Sequence, residues 1–429
     1  MIMAMKESGI EWVGLIPDTW SVIPNKYVMH KEKNLCEKWT GEDVMSLTMN
    51  GVIVRDLQNP TGKMPATFDG YQYIEDGDLL MCLFDIDVTP RCVGKVTYDG
   101  VTSPAYSNFK VHDNASRDYF YYYYLMVDNT KELLHLAKNL RHSFTEEQLG
   151  QLKVPMPPLS EQKVIADYLD ETCSQIDEII AEAKKSIDEY KELKQSVIFE
   201  AVTKGLDKDV EMKNSEVEGM GFIPKKWSVV RFMKVNYVRA RLGWKGLKAE
   251  EYVDVGYPFL AAYHIVNNHL CWESLNCITK ERYDESPEIK LSIGDLVLVK
   301  DGAGIGKCAR IDEMPLGEAT VNSSLSVITP NKLLDYRYEY YYFMSPLFQN
   351  IIARLKNGMG VPHLTQESMK DIYLPLPSKK EQRAIADYLD NKVVELDSLI
   401  TEKESLINDL EAYKKSMIYE VVTGKRRVV

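Results

Sequence analysis

The run Asp301-Gly302-Ala303-Gly304-Ile305-Gly306-Lys307 invites a reading as a phosphate cradle. Glycines let backbone N–H groups close on an anion, and a lysine adds charge. The run fails both specific forms of that motif. A phosphate-binding loop needs four residues between its glycines and Ser or Thr after the lysine, but Cys308 follows. A dinucleotide fingerprint needs a third glycine where Lys307 stands. The expectation is a Gly-rich turn between two strands that exposes Lys307. No HExxH and no Asn/Asp-Pro-Pro-aromatic motif of amino-methyltransferases occurs. The histidines (30, 112, 135, 142, 264, 269, 363) are scattered, and the cysteines (Cys36, Cys82, Cys92, Cys173, Cys271, Cys277, Cys308) form no CxxC pair. Free thiols in a reducing cytoplasm follow, with no metal site and no catalytic residues in the chain.

The chain has 429 residues, 45 % hydrophobic and 27 % charged, which fits a globular protein of two or three domains. No stretch approaches the roughly 20 apolar residues of a membrane span. The segment MIMAMKESGIEW lacks the basic region and long apolar run of a secretory signal, so no export is expected. The net charge of −12 argues against a simple nucleic-acid binder. Its distribution softens that argument. Residues 160–204 carry 6 basic and 11 acidic side chains and residues 380–424 carry 6 and 10, whereas residues 215–375 carry 19 of each. Residues 8–155 carry 14 and 20, so a surface there that meets an anion must be locally basic.

The elements that must position such a surface are written twice. Residues 161–203 and 381–423 align without a gap at an offset of 220, with 18 identities in 43 positions. The repeat reaches back through Pro155 and Pro157 to Pro375 and Pro377, Thr145 to Thr365, and Tyr121-Tyr122-Tyr123 to Tyr341-Tyr342-Phe343. Val93-Gly94-Lys95 resembles Ile305-Gly306-Lys307, and Gly77-Asp78-Leu79 resembles Gly294-Asp295-Leu296. Gly14-Leu15-Ile16-Pro17 and Trp20 match Gly221-Phe222-Ile223-Pro224 and Trp227 at an offset of 207. The globular parts thus gained and lost loops while the end segments kept their length. A segment that keeps its length is measuring a distance.

Apolar residues in the first end segment (Leu169, Cys173, Ile176, Ile180, Ala183, Ile187, Tyr190, Val197, Ala201) step by fours and threes, with Lys194 in one slot. The second gives Leu389, Val393, Leu396, Ile400, Ile407, Leu410, Met417 and Val421, with Lys403 and Lys414 in slots. A heptad pattern of this length predicts two long helices paired by a narrow seam. Ser160 and Ser378 are candidate N-caps, and Gly205 and Gly424 end the helices. The fold expected is α+β: two mixed α/β domains separated by two long helices that form an antiparallel coiled coil, with an internal pseudo-two-fold repeat. Short strands are expected at 78–83 and 295–299. Tyr119–Met126 and Tyr338–Met344 read as helices packed into their own domains rather than as base-stacking platforms.

This layout resembles the specificity (S) subunit of Type I restriction–modification systems. The residues that carry the resemblance are Val154-Pro155-Met156-Pro157, Glu161-Gln162, Ile165-Ala166 and Leu169-Asp170. Their second copy is Leu374-Pro375-Leu376-Pro377, Glu381-Gln382, Ile385-Ala386 and Leu389-Asp390. The resemblance implies target recognition domains at 1–155 and 208–375, a central conserved helical region at 156–207 and a C-terminal one at 376–429. It implies that each recognition domain reads one half of a split double-stranded DNA target. The helices would space the halves and dock two methyltransferase (modification) subunits. S-adenosylmethionine for adenine-N6 methylation would sit in those subunits, and ATP and Mg in restriction/translocase subunits, with none of these in this chain. A two-headed protein-binding scaffold and a fused methyltransferase are the competing readings.

For a DNA reader, phosphates call for Lys and Arg and base edges for Arg, Asn, Gln or Ser. The candidates in the first domain are Arg55, Lys63, Arg91, Lys95, Lys138, Arg141 and His142. Arg91 and Lys95 flank an expected Val-Gly-Lys turn, and residues 138–143 form a polar loop. In the second domain they are Arg239, Arg241 and Lys245 around Trp244, then Lys300, Lys307, Lys356, Asn357 and His363.

Overall fold

The computed structural model describes residues 4–428 apart from 61–63, 90, 138–141, 242–245, 303, 358–362 and 366, and without the side chains of Lys356 and Asn357. The chain forms two compact units, Met1–Lys184 with Ser405–Val429, and Lys185–Glu404. Each contains one globular half and part of both long helices. The units therefore divide within the helices rather than at their ends.

In the first unit Met5–Glu7 pairs with Leu15–Pro17, and Ser21–Pro24 pairs with Lys153–Met156, so the strand that leads into the first long helix is stitched to the beginning of the half. A four-stranded antiparallel sheet runs in the order Val93–Lys95, Leu79–Met81, Ser107–Val111, Met29–Glu32. A five-stranded sheet runs Leu35–Cys36, Tyr71–Ile74, Gly100–Thr102, Val44–Thr48, Gly51–Val54, with one parallel pair, Gly100–Thr102 against Val44–Thr48. Neighbouring residues on a strand face opposite ways. Val44 accordingly packs with Cys36, Phe68 and Val101, while Met45 packs with Ile74, Leu80 and Val96. Val93-Gly94-Lys95 is a strand, not the turn expected. A Cβ on Gly94 would lie 2.6 Å from Leu47 Cδ1, so the glycine is there for close packing.

The second unit repeats the plan. Met212–Asn214 pairs with Phe222–Pro224, and Ser228–Arg231 with Tyr373–Leu376. Its antiparallel sheet runs Cys308–Arg310, Leu296–Val299, Leu325–Pro330, Asn236–Arg239. A second sheet runs Tyr252–Val253, Cys277–Ile278, Tyr257–Leu260, Thr320–Val321, its last pair parallel. The described residues of the Gly-rich run, 301–302 and 304–307, lie in the expected turn between Leu296–Val299 and Cys308–Arg310.

The sheets also correct the alignment of the halves. Lys95 stands opposite Leu79, and Arg310 stands opposite Leu296, so the counterpart of Lys95 is Arg310, three residues beyond Lys307.

The central helix spans Leu159–Lys204 and the C-terminal helix Lys379–Val422. Ser378 caps the latter: its hydroxyl accepts from the Glu381 N–H at 3.3 Å while Glu381 Oε2 accepts from the Ser378 N–H at 3.1 Å. Ser160 lies inside the central helix and is not its cap. Pro158 holds the place equivalent to Ser378, and its carbonyl accepts from the Gln162 N–H at 2.9 Å. The heptad residues form the buried seam, from Leu169 to Ile187 and from Leu389 to Met417, with Tyr190, Val197 and Leu410 half-buried.

The helices run antiparallel within each unit. In the first, Lys414 pairs with Asp177 at 2.6 Å, and Arg426 lies in the field of Tyr168. In the second, Lys194 pairs with Asp397 at 2.6 Å, and Ile198, Ala201 and Val202 share a core with Ile385, Leu389 and Val393. The two ion pairs are images of each other under the 220-residue offset. Two of the three lysines interrupting the seam are thus neutralised by a carboxylate of the partner helix. Among the described residues no helix is long and apolar enough to cross a membrane.

Candidate nucleic-acid interface and its mounting

Each globular half carries one aromatic helix, Arg117–Asn129 in the first and Tyr336–Met344 in the second. The Ser116 hydroxyl caps the first, and the Asp335 carboxylate caps the second. Both helices are packed into their own halves, as the sequence suggested, and their hydroxyl groups do specific work.

In the first unit the Ser116 N–H donates to Gln162 Oε1 at 2.8 Å, and Gln162 Nε2 donates to the Pro157 carbonyl at 2.8 Å. The Tyr119 hydroxyl donates to the Val422 carbonyl at 2.8 Å. The Tyr122 hydroxyl reaches Asp170 Oδ1 at 2.7 Å. In the second unit the Asp335 N–H donates to Gln382 Oε1 at 2.7 Å, and Gln382 Nε2 donates to the carbonyls of Leu333 and Pro377, each at 2.9 Å. The Tyr338 hydroxyl lies 3.0 Å from the carbonyls of both Val202 and Pro375. The Tyr341 hydroxyl reaches Asp390 Oδ1 at 2.7 Å. One turn of each aromatic helix therefore grips the start of one long helix and the end of the other. These pairs set the true offset of the aromatic run at 219, one less than the sequence match of Tyr121 to Tyr341.

Electrostatics reinforces the mounting. Lys95 bridges Asp118 at 3.1 Å and Asp170 at 3.4 Å. Its counterpart Arg310 holds Asp390 at 2.6 Å, and Arg337 joins at 3.0 Å. Burial alone would raise the Asp390 carboxyl, but the Tyr341 hydroxyl and the two guanidinium groups hold it below the ordinary range. The Tyr119 and Tyr338 phenols are fully buried and pushed far up by desolvation, so they stay protonated donors.

The candidate DNA-contacting residues fall into three groups. Lys63, Lys138, Arg141 and Lys245 lie outside the described residues, as do the side chains of Lys356 and Asn357 at the end of helix Pro346–Asn357. A second group is tied into the fold. Lys95 belongs to the mounting. Arg239 donates to Asp295 at 2.9 Å and to the carbonyls of Glu288 and Lys290. Arg241 is 8 % exposed and donates to Ser286 Oγ and the Val321 carbonyl. Their cations are committed inside the second half, which the basic cluster in the sequence did not foretell.

The third group lies nearer solvent. Arg55 follows strand Gly51–Val54 and is half-buried. Arg91 donates to the Met49 carbonyl at 2.8 Å. His142 sits in a left-handed conformation (φ 41°) with Nδ1 3.3 Å from the Ala137 carbonyl. Lys300 pairs with Asp301 at 3.0 Å, and His363 contacts the other oxygen of that carboxylate. Lys307 is exposed, with no carboxylate partner among the described residues, at a cleft of about 560 Å³ that Gln195, Asn267, Asn268 and Gln349 also line. Sequence reasoning missed the mounting residues as functional groups, although Gln162, Gln382, Asp170 and Asp390 stood in the repeated motif.

A duplicated α+β chain, with each half gripped by both of two paired helices, defines a class of two-part proteins built on a shared helical support. Residues 78–189 and 224–411 match the family described as the Type I restriction modification DNA specificity domain, and the chain belongs to that family. It is 28 % identical over 283 residues to the Type I restriction enzyme MjaVIII specificity subunit of Methanocaldococcus jannaschii, covering 65 % of this chain and 63 % of that relative. It is 25 % identical over 209 residues to the EcoKI specificity subunit of Escherichia coli K12, covering 48 % and 44 %. The matches thus span less than two thirds of either relative. In fold it is similar to a chain from a structure of complex assembly and conformational transition in a type I R-M system, with a TM-score of 0.71 at 14 % identity, over 96 % of this chain and 99 % of that one. The HsdS subunit of Thermoanaerobacter tengcongensis follows, with a TM-score of 0.54 at 15 % identity, covering 96 % and 98 %.

Proposed function

We propose that this chain is the sequence-reading subunit of a Type I restriction–modification complex. Each globular half reads one part of a bipartite double-stranded DNA target, and the helices set the gap and dock two methyltransferase subunits. The observation that carries this reading is the duplicated mounting. A protein that reads two sites on a stiff duplex must hold its readers in fixed register, and helices do that where a flexible linker does not. At 1.5 Å per residue the 46-residue central helix is about 69 Å long, ample for half-sites roughly 34–36 Å apart.

The helices also carry exposed apolar side chains suited to protein partners, among them Leu193 and Tyr413, each 46 % exposed. These two occupy the same position of the repeat, as expected if two copies of one partner dock. The chemistry then lies with the partners: S-adenosylmethionine and adenine-N6 transfer in the modification subunits, and ATP with Mg in restriction/translocase subunits. A reducing cytoplasm, which keeps the seven thiols free, is the compartment proposed. The test is to express the chain with its modification subunit and map methylated adenines. A two-part motif with one gap length is expected. Unchanged methylation without the chain, or methylation lacking a two-part motif, refutes the reading.

A further inference from the structure

We propose that Tyr119 with Gln162, and Tyr338 with Gln382, are positioning residues that fix the gap between the two target halves. The inference rests on the DNA-reading function above. Four observations carry it.

First, the contacts are repeated in two units whose loops differ in length. The Ser116–Gln162 and Asp335–Gln382 bonds are counterparts, as are Tyr119–Val422 and Tyr338–Val202. Loops between them drifted, but these four bonds did not. Second, each pair joins both long helices through a single turn of the aromatic helix. Gln162 and Gln382 sit in the first turns of the central and C-terminal helices, and Val202 and Val422 in their last turns. Third, both glutamines and both tyrosines are fully buried. The glutamine side chains are pinned in turn by the carbonyls of Pro157 and of Pro377 with Leu333. Fourth, Tyr119 reaches the Val422 carbonyl and Tyr338 the Val202 carbonyl, beside that of Pro375 on a strand, and both valine carbonyls lie in the last turn of a helix, where the intrahelical partner is missing. A hydroxyl that supplies that partner ties the helix end to the recognition half at one rotation and one height. Phenylalanine fills the same volume and lacks the hydroxyl, which at position 338 also removes the contact with the Pro375 carbonyl.

Tyr122 and Tyr341 provide the internal control. They lie on the same aromatic helices, but their hydroxyls reach Asp170 and Asp390, on the helix that Gln162 or Gln382 of the same unit already holds, so their loss frees neither helix end.

The experiment compares wild type, Y119F/Y338F and Y122F/Y341F, each assembled with the modification subunit. Methylated adenines are mapped across a genome, and assembly and melting are checked alongside. In wild type, a single gap length is expected. Y119F/Y338F should keep both half-site sequences but also methylate sites whose gap differs by one base pair, at ten per cent or more of wild-type occupancy. Y122F/Y341F should keep the single gap. If the double variant does not assemble, the Y119F and Y338F single variants, each lacking one hydroxyl, give the same reading. A single unchanged gap in an assembled Y119F variant overturns the inference, as does equal broadening in both double variants or a changed half-site. A wild-type complex without two-part methylation refutes the function instead, and is recognised before any variant is compared.

Discussion

Glu339→Gln should abolish a pH dependence of stability in the second unit. Glu339 lies fully buried on helix Tyr336–Met344. Its Oε1 accepts from Asn236 Nδ2, while Glu339 Oε2 and Asn236 Oδ1 have no partner among the described residues. A proton on the carboxyl makes it a donor and removes the cost of a buried charge. Burial pushes the group up to about 8, against the opposing pull of the Asn236 hydrogen bond. Cys308 and Tyr342 face it, and burial pushes both well above their ordinary values, so neither titrates in this window. Between the unfolded value of 4.5 and about 8, the folded state holds a proton that the unfolded chain has released. Stability therefore falls as pH rises through that window and levels off above it. From pH 5 to pH 8 the loss comes to about 3 kcal/mol. Glutamine keeps the shape and carries a donor at every pH, so the variant should match wild type near pH 5 and exceed it by about 3 kcal/mol at pH 8. Amide hydrogen exchange in helix Tyr336–Met344 of the intact chain, compared between the two proteins at pH 5, 6.5 and 8, reads this directly. A difference that stays constant across the three pH values refutes the reasoning.

Gly424→Ala should loosen the first unit by about 1–3 kcal/mol, because φ is +71° and a Cβ would lie 2.4 Å from Pro17 Cδ; exchange across residues 15–24 is the measure. Breaking the Lys194–Asp397 pair by Lys194→Ala should cost under about 1 kcal/mol, and less in high salt, since Asp397 is 39 % exposed; a double-mutant cycle in unfolding gives the coupling. Lys307→Ala should weaken DNA binding by the assembled complex and lower its salt slope by about 1, with an unchanged slope removing Lys307 from the interface. Four residues inserted after both Ile180 and Ile400, between the Asp177–Lys414 and Lys194–Asp397 ties, should lengthen the support by about 6 Å and change the gap without changing the half-sites; methylation mapping decides.

The periodic parts were legible because their signals are local. The heptads gave the seam, the ungapped repeat gave two equal helices, and Gly205 and Gly424 gave their ends, with φ values of 78° and 71°. What failed was the alignment between the helices and the irregular parts. Tyr121 was matched one residue out of step, and Lys95 was matched to Lys307 instead of Arg310, because loop changes moved the offset between fixed points. Ser160 drew the eye as a cap, yet the repeat itself placed Pro158 opposite Ser378. The mounting was out of reach for a different reason. Tyr119 and Val422 stand 303 positions apart, and a hydrogen bond between a side chain and a carbonyl that distant leaves no trace in spacing. Arg239 and Arg241 show the same limit: whether a cation meets solvent or an internal acceptor depends on contacts far along the chain.

The first unit contains residues 405–429 as well as 1–184, and this has a consequence for biosynthesis. While the ribosome is still making the intervening 220 residues, Trp20, Tyr119 and the Val13 carbonyl have not yet met Gly424, Val422 and Lys425. At about 5–20 residues per second that wait lasts roughly 10–40 seconds. The second unit, contiguous in sequence, has no such delay. The half translated earlier is thus the one finished last, and its unfinished apolar surface stays uncovered until residues 405–429 have emerged.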